Sequence, residues 1–186
     1  MGVGHQGDLE RKLFGDTVDR VLRAATVPVL SVRSRAFSDY ESILVPTDFS
    51  PPARRALDTA LAFYPGRSLS VLHVSDVELT TMSDDETASL TAQSKGRLHD
   101  MLEEAMAQTA DRLNPNATTA LEFGMPVDVV KRYVADHRPH LVAIGTHGRT
   151  SVRRAVIGSV AEQLLRVLPC DILAVGSMGQ TGRAAG

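Results

Sequence analysis

Gly145-Thr146-His147-Gly148, then nine residues, then Gly158-Ser159 is the run whose residue types and spacing could do chemistry. Glycines let main-chain N–H groups approach an anion closely, and a helix start adds unpaired donors and a partial positive charge. Such a cradle suits a phosphate chain, with the Ser159 hydroxyl as a further donor. A surface loop turned by its glycines, with Ser159 capping the next helix, would be spelled the same way. A second run, Val45-Pro46-Thr47-Asp48-Phe49-Ser50, carries a carboxylate that could accept hydrogen bonds from a sugar hydroxyl or a base amine. Asp48 could equally cap the helix that follows. If the strands leading into these two runs are neighbours where strand order reverses, Thr47 and Asp48 face the Gly145–Ser159 loop across one crevice.

Other groupings point to less. Gly2-Val3-Gly4-His5-Gln6-Gly7 spells G-x-G-x-x-G, but no strand precedes it in this sequence. No Gly-Lys-Ser/Thr run is present to support P-loop chemistry. His137 and His140 flank Arg138-Pro139 with no carboxylate or thiolate at a metal spacing, which reads as a surface turn. His147, Arg149, Arg153 and Arg154 sit in the glycine loop as solvated side chains that could also screen phosphate charge. Ser159 has no identifiable His/Asp relay, so no catalytic residue is assigned.

The elements that would position these runs alternate between strand and helix. Ser42–Val45 is a short apolar strand stopped by Pro46, and Ser50-Pro51-Pro52 opens a helix running to Phe63. Leu69–Val74 is a second strand, and Asp84 to Leu113 a long helix closed by Asn114-Pro115-Asn116. Ala117–Phe123 is a third strand, followed by a helix from Val127 to about His137. His140–Ile144 is the fourth strand, Ser159–Leu168 a helix and Ile172–Val175 the fifth strand. This order implies right-handed crossovers and an open parallel α/β sheet with helices on both faces.

Composition narrows the classes. The 186 residues are 43% hydrophobic and 23% charged, which is ordinary globular composition, and the net charge of −2 gives no basic surplus for nucleic acid. Aromatics are 4% with no tryptophan, which disfavours base-stacking platforms. No stretch approaches the roughly 20 apolar residues of a membrane span, and the start lacks the layout of a signal peptide. The single cysteine, Cys170, reads as a small core residue and fits a reducing compartment, so the cytoplasm is expected.

The front of the sequence repeats the back. Gly15 to Arg23 matches Gly158 to Arg166 at an offset of 143, and the same offset pairs Gly2 with Gly145, Leu30 with Leu173 and Val32 with Val175. Two generic amphipathic helices could coincide in this way. The alternative is that residues 1–34 are the last helix and strand of a preceding copy, with residues 40–178 a complete domain and 179–186 a flexible tail. Val27–Arg33 is then expected to pair antiparallel with Asp171–Ser177, within a chain or between chains.

Ile43-Leu44-Val45-Pro46-Thr47-Asp48-Phe49-Ser50, Leu72-His73-Val74, Gly124-Met125-Pro126 and the Gly145-x-x-Gly148-x9-Gly158-Ser159 signature together resemble the ATP-binding branch of the universal stress protein family. The resemblance spans about residues 40–177 and implies a five-stranded parallel sheet in the order 3-2-1-4-5 with ATP, and Mg2+ as a cation that could accompany it, at the crevice. It implies that Pro46, Thr47, Asp48 and Val74 surround the adenosine. Gly145, Gly148, Gly158, Ser159 and Val160 would hold ribose and phosphates. It further implies a nucleotide-responsive stress or signalling module, with homodimer or pseudo-dimer assembly as the other reading and slow ATP hydrolysis left open. In the first copy Asp16 replaces the serine, and a carboxylate there would repel phosphate.

Overall fold

The computed structural model describes residues 20–22, 24–33, 39–76, 82–107, 116–146 and 157–176. Short runs rich in branched apolar residues form the strands β1 (Val29–Ser31), β2 (Ser42–Thr47), β3 (Ser68–Ser75), β4 (Ala117–Phe123), β5 (Leu141–Gly145) and β6 (Asp171–Val175). The connecting helices are α1 (Pro51–Phe63), α2 (Asp84–Ala107), α3 (Pro126–His137) and α4 (Ser159–Val167).

All six strands join one sheet in the order β1-β6-β5-β2-β3-β4. From β4 through β6 the neighbours are parallel and follow the implied order. The expected count of five is corrected to six, because β1 adds to the β6 edge in the antiparallel sense. The physical reason is that β6 would otherwise leave its backbone donors and acceptors bare. Val29 lies opposite Ala174, Leu30 opposite Leu173 and Ser31 opposite Ile172, so the expected pairing forms within the chain, over three residues.

One further boundary differs from expectation. Pro46 does not stop β2, which continues to Thr47. Pairing with β3 runs through Thr47, whereas pairing with β5 covers only Ile43 and Leu44, so the residue without an N–H falls where one ladder has opened. The long second helix is described to Ala107; the expected continuation to Leu113 lies outside the described residues, as do residues 1–19 and 177–186.

Strand alternation divides the core in two. Ile43, Val45, Leu69, Val71, Leu141, Ala143, Leu173 and Val175 pack under α1 and α2. Leu44, Leu72, Val142, Ile144, Ile172 and Ala174 pack under α3 and α4, joined there by Leu22 from the N-terminal arm. Buried Asp171 holds the arm at its root: its Oδ1 accepts from the Arg33 amide at 2.7 Å and its Oδ2 from the Tyr40 hydroxyl at 2.7 Å. An Arg33 guanidinium nitrogen also donates to the Leu165 carbonyl at the end of α4.

Candidate functional site

Strand order reverses between β2 and β5, and that is where an open parallel sheet leaves a crevice at its carboxyl end. Leu44 is in register with Val142, so Thr47 and Gly145, each three residues further on, end their strands level with one another. The described ends of the two chemically suggestive runs therefore fall on neighbouring strand ends.

The Thr47 side chain points into the core. It follows Ile43 and Val45 onto the α1/α2 face, where its buried hydroxyl donates to the Met101 sulfur at 3.5 Å and accepts from the Phe49 amide at 3.0 Å. Only its main chain borders the crevice. Asp48 is half-buried, and its Oδ1 accepts from the Ser50 amide at 3.0 Å, which tightens the turn into α1. The cap of α1 is Ser50 rather than Asp48, accepting from the Ala53 amide at 3.4 Å. Pro46 alternates onto the α3/α4 face with Leu44, and half-buried Val74 packs on the same face beside Val127.

Gly145 has a structural requirement of its own. A Cβ there would stand 2.6 Å from the Pro52 carbonyl carbon and 2.8 Å from the Ala53 nitrogen, so β5 ends against the first turn of α1 and only a glycine fits. Gly158, not Ser159, is the N-cap of α4, with extended backbone (φ −63°, ψ 144°) and no side-chain cap. Its amide donates to the Thr146 carbonyl at 2.7 Å. Ser159 and Val160 are exposed in the first turn of α4. Without a side-chain cap, the amides of Ser159, Val160 and Ala161 have no partner inside the helix. Those three donors, the Ser159 hydroxyl and the helix dipole fit a phosphate group. Gly148, His147, Arg149, Arg153 and Arg154 lie outside the described residues.

The structure adds residues that motif reading passed over. Thr146 is buried, bonded to the Val175 carbonyl through its amide at 3.0 Å and through its hydroxyl at 3.5 Å, and with Gly158 it closes the base of the loop. Phe49 takes a positive φ of 62°, with its ring centroid 4.3 Å from His73 and the Arg97 guanidinium carbon 4.1 Å above it. His73 Nδ1 donates to the Thr47 carbonyl at 2.8 Å and fixes the end of β2. A lone histidine in the run Val71–Val74 was the available signal. Among the described residues no cluster of three or more His, Cys, Asp or Glu is placed to hold a metal, and no helix is long and apolar enough to cross a membrane.

Comparison with known proteins agrees with this architecture. The profile of the Universal stress protein family matches residues 39–176. A protein of Staphylococcus saprophyticus named as a universal stress protein is 32% identical over 139 residues, covering 73% of this chain and 83% of its own. The fold is similar to that of universal stress protein UspA from Lactobacillus plantarum (TM-score 0.63, 24% identity, 74% of this chain and 99% of that one). It is also similar to that of a universal stress protein from Archaeoglobus fulgidus (TM-score 0.60, 23% identity), where the match covers 89% of this chain and 56% of the other. The matched span holds the whole parallel sheet and both runs that border its crevice, and the chain belongs to the universal stress protein family.

Proposed function

We propose that the chain binds ATP at the carboxyl ends of β2 and β5 and acts as a nucleotide-responsive stress or signalling module. The observation that carries this reading is the start of α4: a helix with no side-chain cap, an exposed serine at its first position, and a place at the point where strand order reverses. Phosphates would sit on the amides of Ser159, Val160 and Ala161, with Gly145, Gly148 and Gly158 shaping the approach. Pro46, Asp48, Val74 and the main chain of Thr47 would border the adenosine. Mg2+ would arrive with the phosphates rather than on a side-chain cluster. We assign no catalytic residue, and a half-buried thiol at Cys170 suits the cytoplasm.

Titration calorimetry of the purified chain with ATP tests this reading. One site per chain is expected, with the heat abolished when Ser159 is replaced by Asp. Absence of heat in the parent chain, or equal heat in the variant, refutes it.

A second reading, an assembly module, is favoured by one observation, the antiparallel pairing of β1 on β6. Residues 1–34 then close a preceding copy of the domain, and 40–178 form the complete one. Strands 27–33 and 171–177 would make a pseudo-dimer contact. Light scattering and thermal unfolding of a chain lacking residues 1–34 test it; unchanged mass and stability remove it.

A further inference from the structure

The pairing of β1 with β6 is symmetric about one residue pair. The sequence offset that makes Leu30 the equivalent of Leu173 also makes Val29 the equivalent of Ile172 and Ser31 that of Ala174. In the sheet, Leu30 stands opposite its own equivalent, and Val29 and Ser31 stand opposite each other's. A two-fold axis through Leu30 and Leu173 therefore relates the strands, and the face of the sheet is kept: Leu22, the equivalent of Leu165, lies in the same core cluster.

Exposure then shows which part of the first unit is uncovered. Leu22 and Leu165 flank the axis and are alike, at 7% and 8%. On the far side the equivalents part company: Val21, Leu30 and Val32 are exposed at 46%, 40% and 45%, whereas Leu164, Leu173 and Val175 are buried at 2%, 2% and 1%. In the complete unit Leu173 and Val175 are buried by α1 and β5, and Leu164 by β5 and α3. Among the described residues, no strand pairs with the outer edge of β1 either. The Arg33 amide points inward to Asp171, so by strand alternation the amides of Leu30 and Val32 point outward. From Val27 to Val32 the edge carries no charge to deter pairing, and Pro28, which has no N–H to offer outward, limits the open donors to Leu30 and Val32.

We infer that this edge docks a second domain of the same fold, which lays a β5-like strand parallel along β1, an α1-like helix over Leu30 and Val32, and an α3-like helix over Val21. By the same offset, the equivalents of α1 and nearly all of β5 fall ahead of Gly2. The Archaeoglobus fulgidus match is consistent with this: its 89% coverage exceeds the family span by more than residues 177–186 could supply, so the arm is part of the match inside a longer chain. The inference rests on the assembly reading of residues 1–34 and does not depend on nucleotide binding.

Joining a second copy of residues 39–144 directly ahead of Gly2 keeps the repeat in register and supplies the occupant. Hydrogen exchange followed by NMR should find the Leu30 and Val32 amides unprotected in the 186-residue chain and slowed on the order of 100-fold in the fusion. The double change Leu30→Lys, Val32→Lys should lower the fusion's melting temperature by about 5 °C or more, against under about 2 °C in the parent chain. Equal exchange in both proteins, or an equal loss in both, overturns the inference, as does a fusion with no unfolding transition beyond the parent's. Protection of Leu30 and Val32 in the parent chain overturns it too; protection that grows with concentration would mean that two copies pair edge to edge instead.

Discussion

The Gly158 amide donates to the Thr146 carbonyl at 2.7 Å, and the Thr146 amide donates in turn to Val175 at 3.0 Å. These bonds tie both ends of the glycine loop to β6, so the sheet positions the start of α4. They also take the Gly158 amide out of any anion cradle. Among the described residues, the donors left at this loop are those of the first turn of α4, which places Ser159 at the centre of the candidate phosphate site.

Replacing Ser159 with Asp separates folding from binding at that point. A carboxylate in a first helical turn interacts favourably with the dipole, by about 0.3–1 kcal/mol, so the variant should be as stable as the parent or slightly more so. The same charge against a triphosphate should cost on the order of 100-fold or more in ATP affinity. Thermal unfolding and calorimetry on the one variant read both effects. A destabilised variant, or one that keeps its affinity, contradicts this account of the α4 N-terminus.

The parallel sheet was legible because each strand is a short apolar run bounded by punctuation, such as Pro65-Gly66 after α1 and Gly124-Met125-Pro126 before α3. Meeting of the two runs followed from strand order alone. Side-chain direction did not. Alternation groups Ile43, Val45 and Thr47, but which helices cover that face is decided by crossovers far along the chain, and so the Thr47 hydroxyl was expected toward the loop when it lies against Met101. Nor could local spelling show that Gly145 is pressed against Pro52, a contact across 93 residues of chain. Ser159 looked like a cap by residue type, whereas the extended backbone at Gly158 ends the helix one residue earlier.

Gly145 should consequently matter in the absence of any nucleotide. Its substitution by Ala forces a methyl to 2.6 Å from the Pro52 backbone, where no flexible side chain can yield. Overpacking of this kind costs about 1–3 kcal/mol, or roughly 2–10 °C in melting temperature for a domain of this size. Thermal unfolding without ATP checks it; an unshifted transition would show that β5 and α1 do not approach this closely.

A different signal, missed in the sequence, sets the start of α2. Ser83 and Glu86 form a reciprocal box: the Ser83 amide and hydroxyl both reach Glu86 Oε2 at 2.8 Å, and the Glu86 amide donates to Ser83 Oγ at 3.3 Å. The two bonds from Ser83 hold the Glu86 carboxyl below the usual range. Ser83→Ala should cost about 1 kcal/mol and fray the first turn, read as faster amide exchange from Asp85 to Thr87 with the rest of the sheet unchanged. Unchanged exchange there would mean that the box does not hold the helix end.

Tyr40 offers a pH test of the arm's anchor. Burial first, then its hydrogen bond to Asp171 and the charge of that carboxylate, raise the phenol above its usual range. The unfolded chain releases this proton near pH 10, while the folded chain keeps it to higher pH. Stabilisation from the raised pKa is therefore fully present below about pH 10 and is lost as the pH climbs beyond it. The difference in unfolding free energy between the parent chain and Tyr40→Phe should accordingly be constant from pH 7 to 9 and shrink between about pH 10 and 11.5. Tyr64, whose phenol is also raised by burial, packs against Tyr40 and adds to its rise, so its ionisation is followed in both proteins alongside the difference. Denaturant unfolding across that range decides the matter: a difference that stays level through pH 11 would mean that Tyr40 does not donate to Asp171 in solution, and the arm would then be held by the β1–β6 ladder, Arg33 and Leu22.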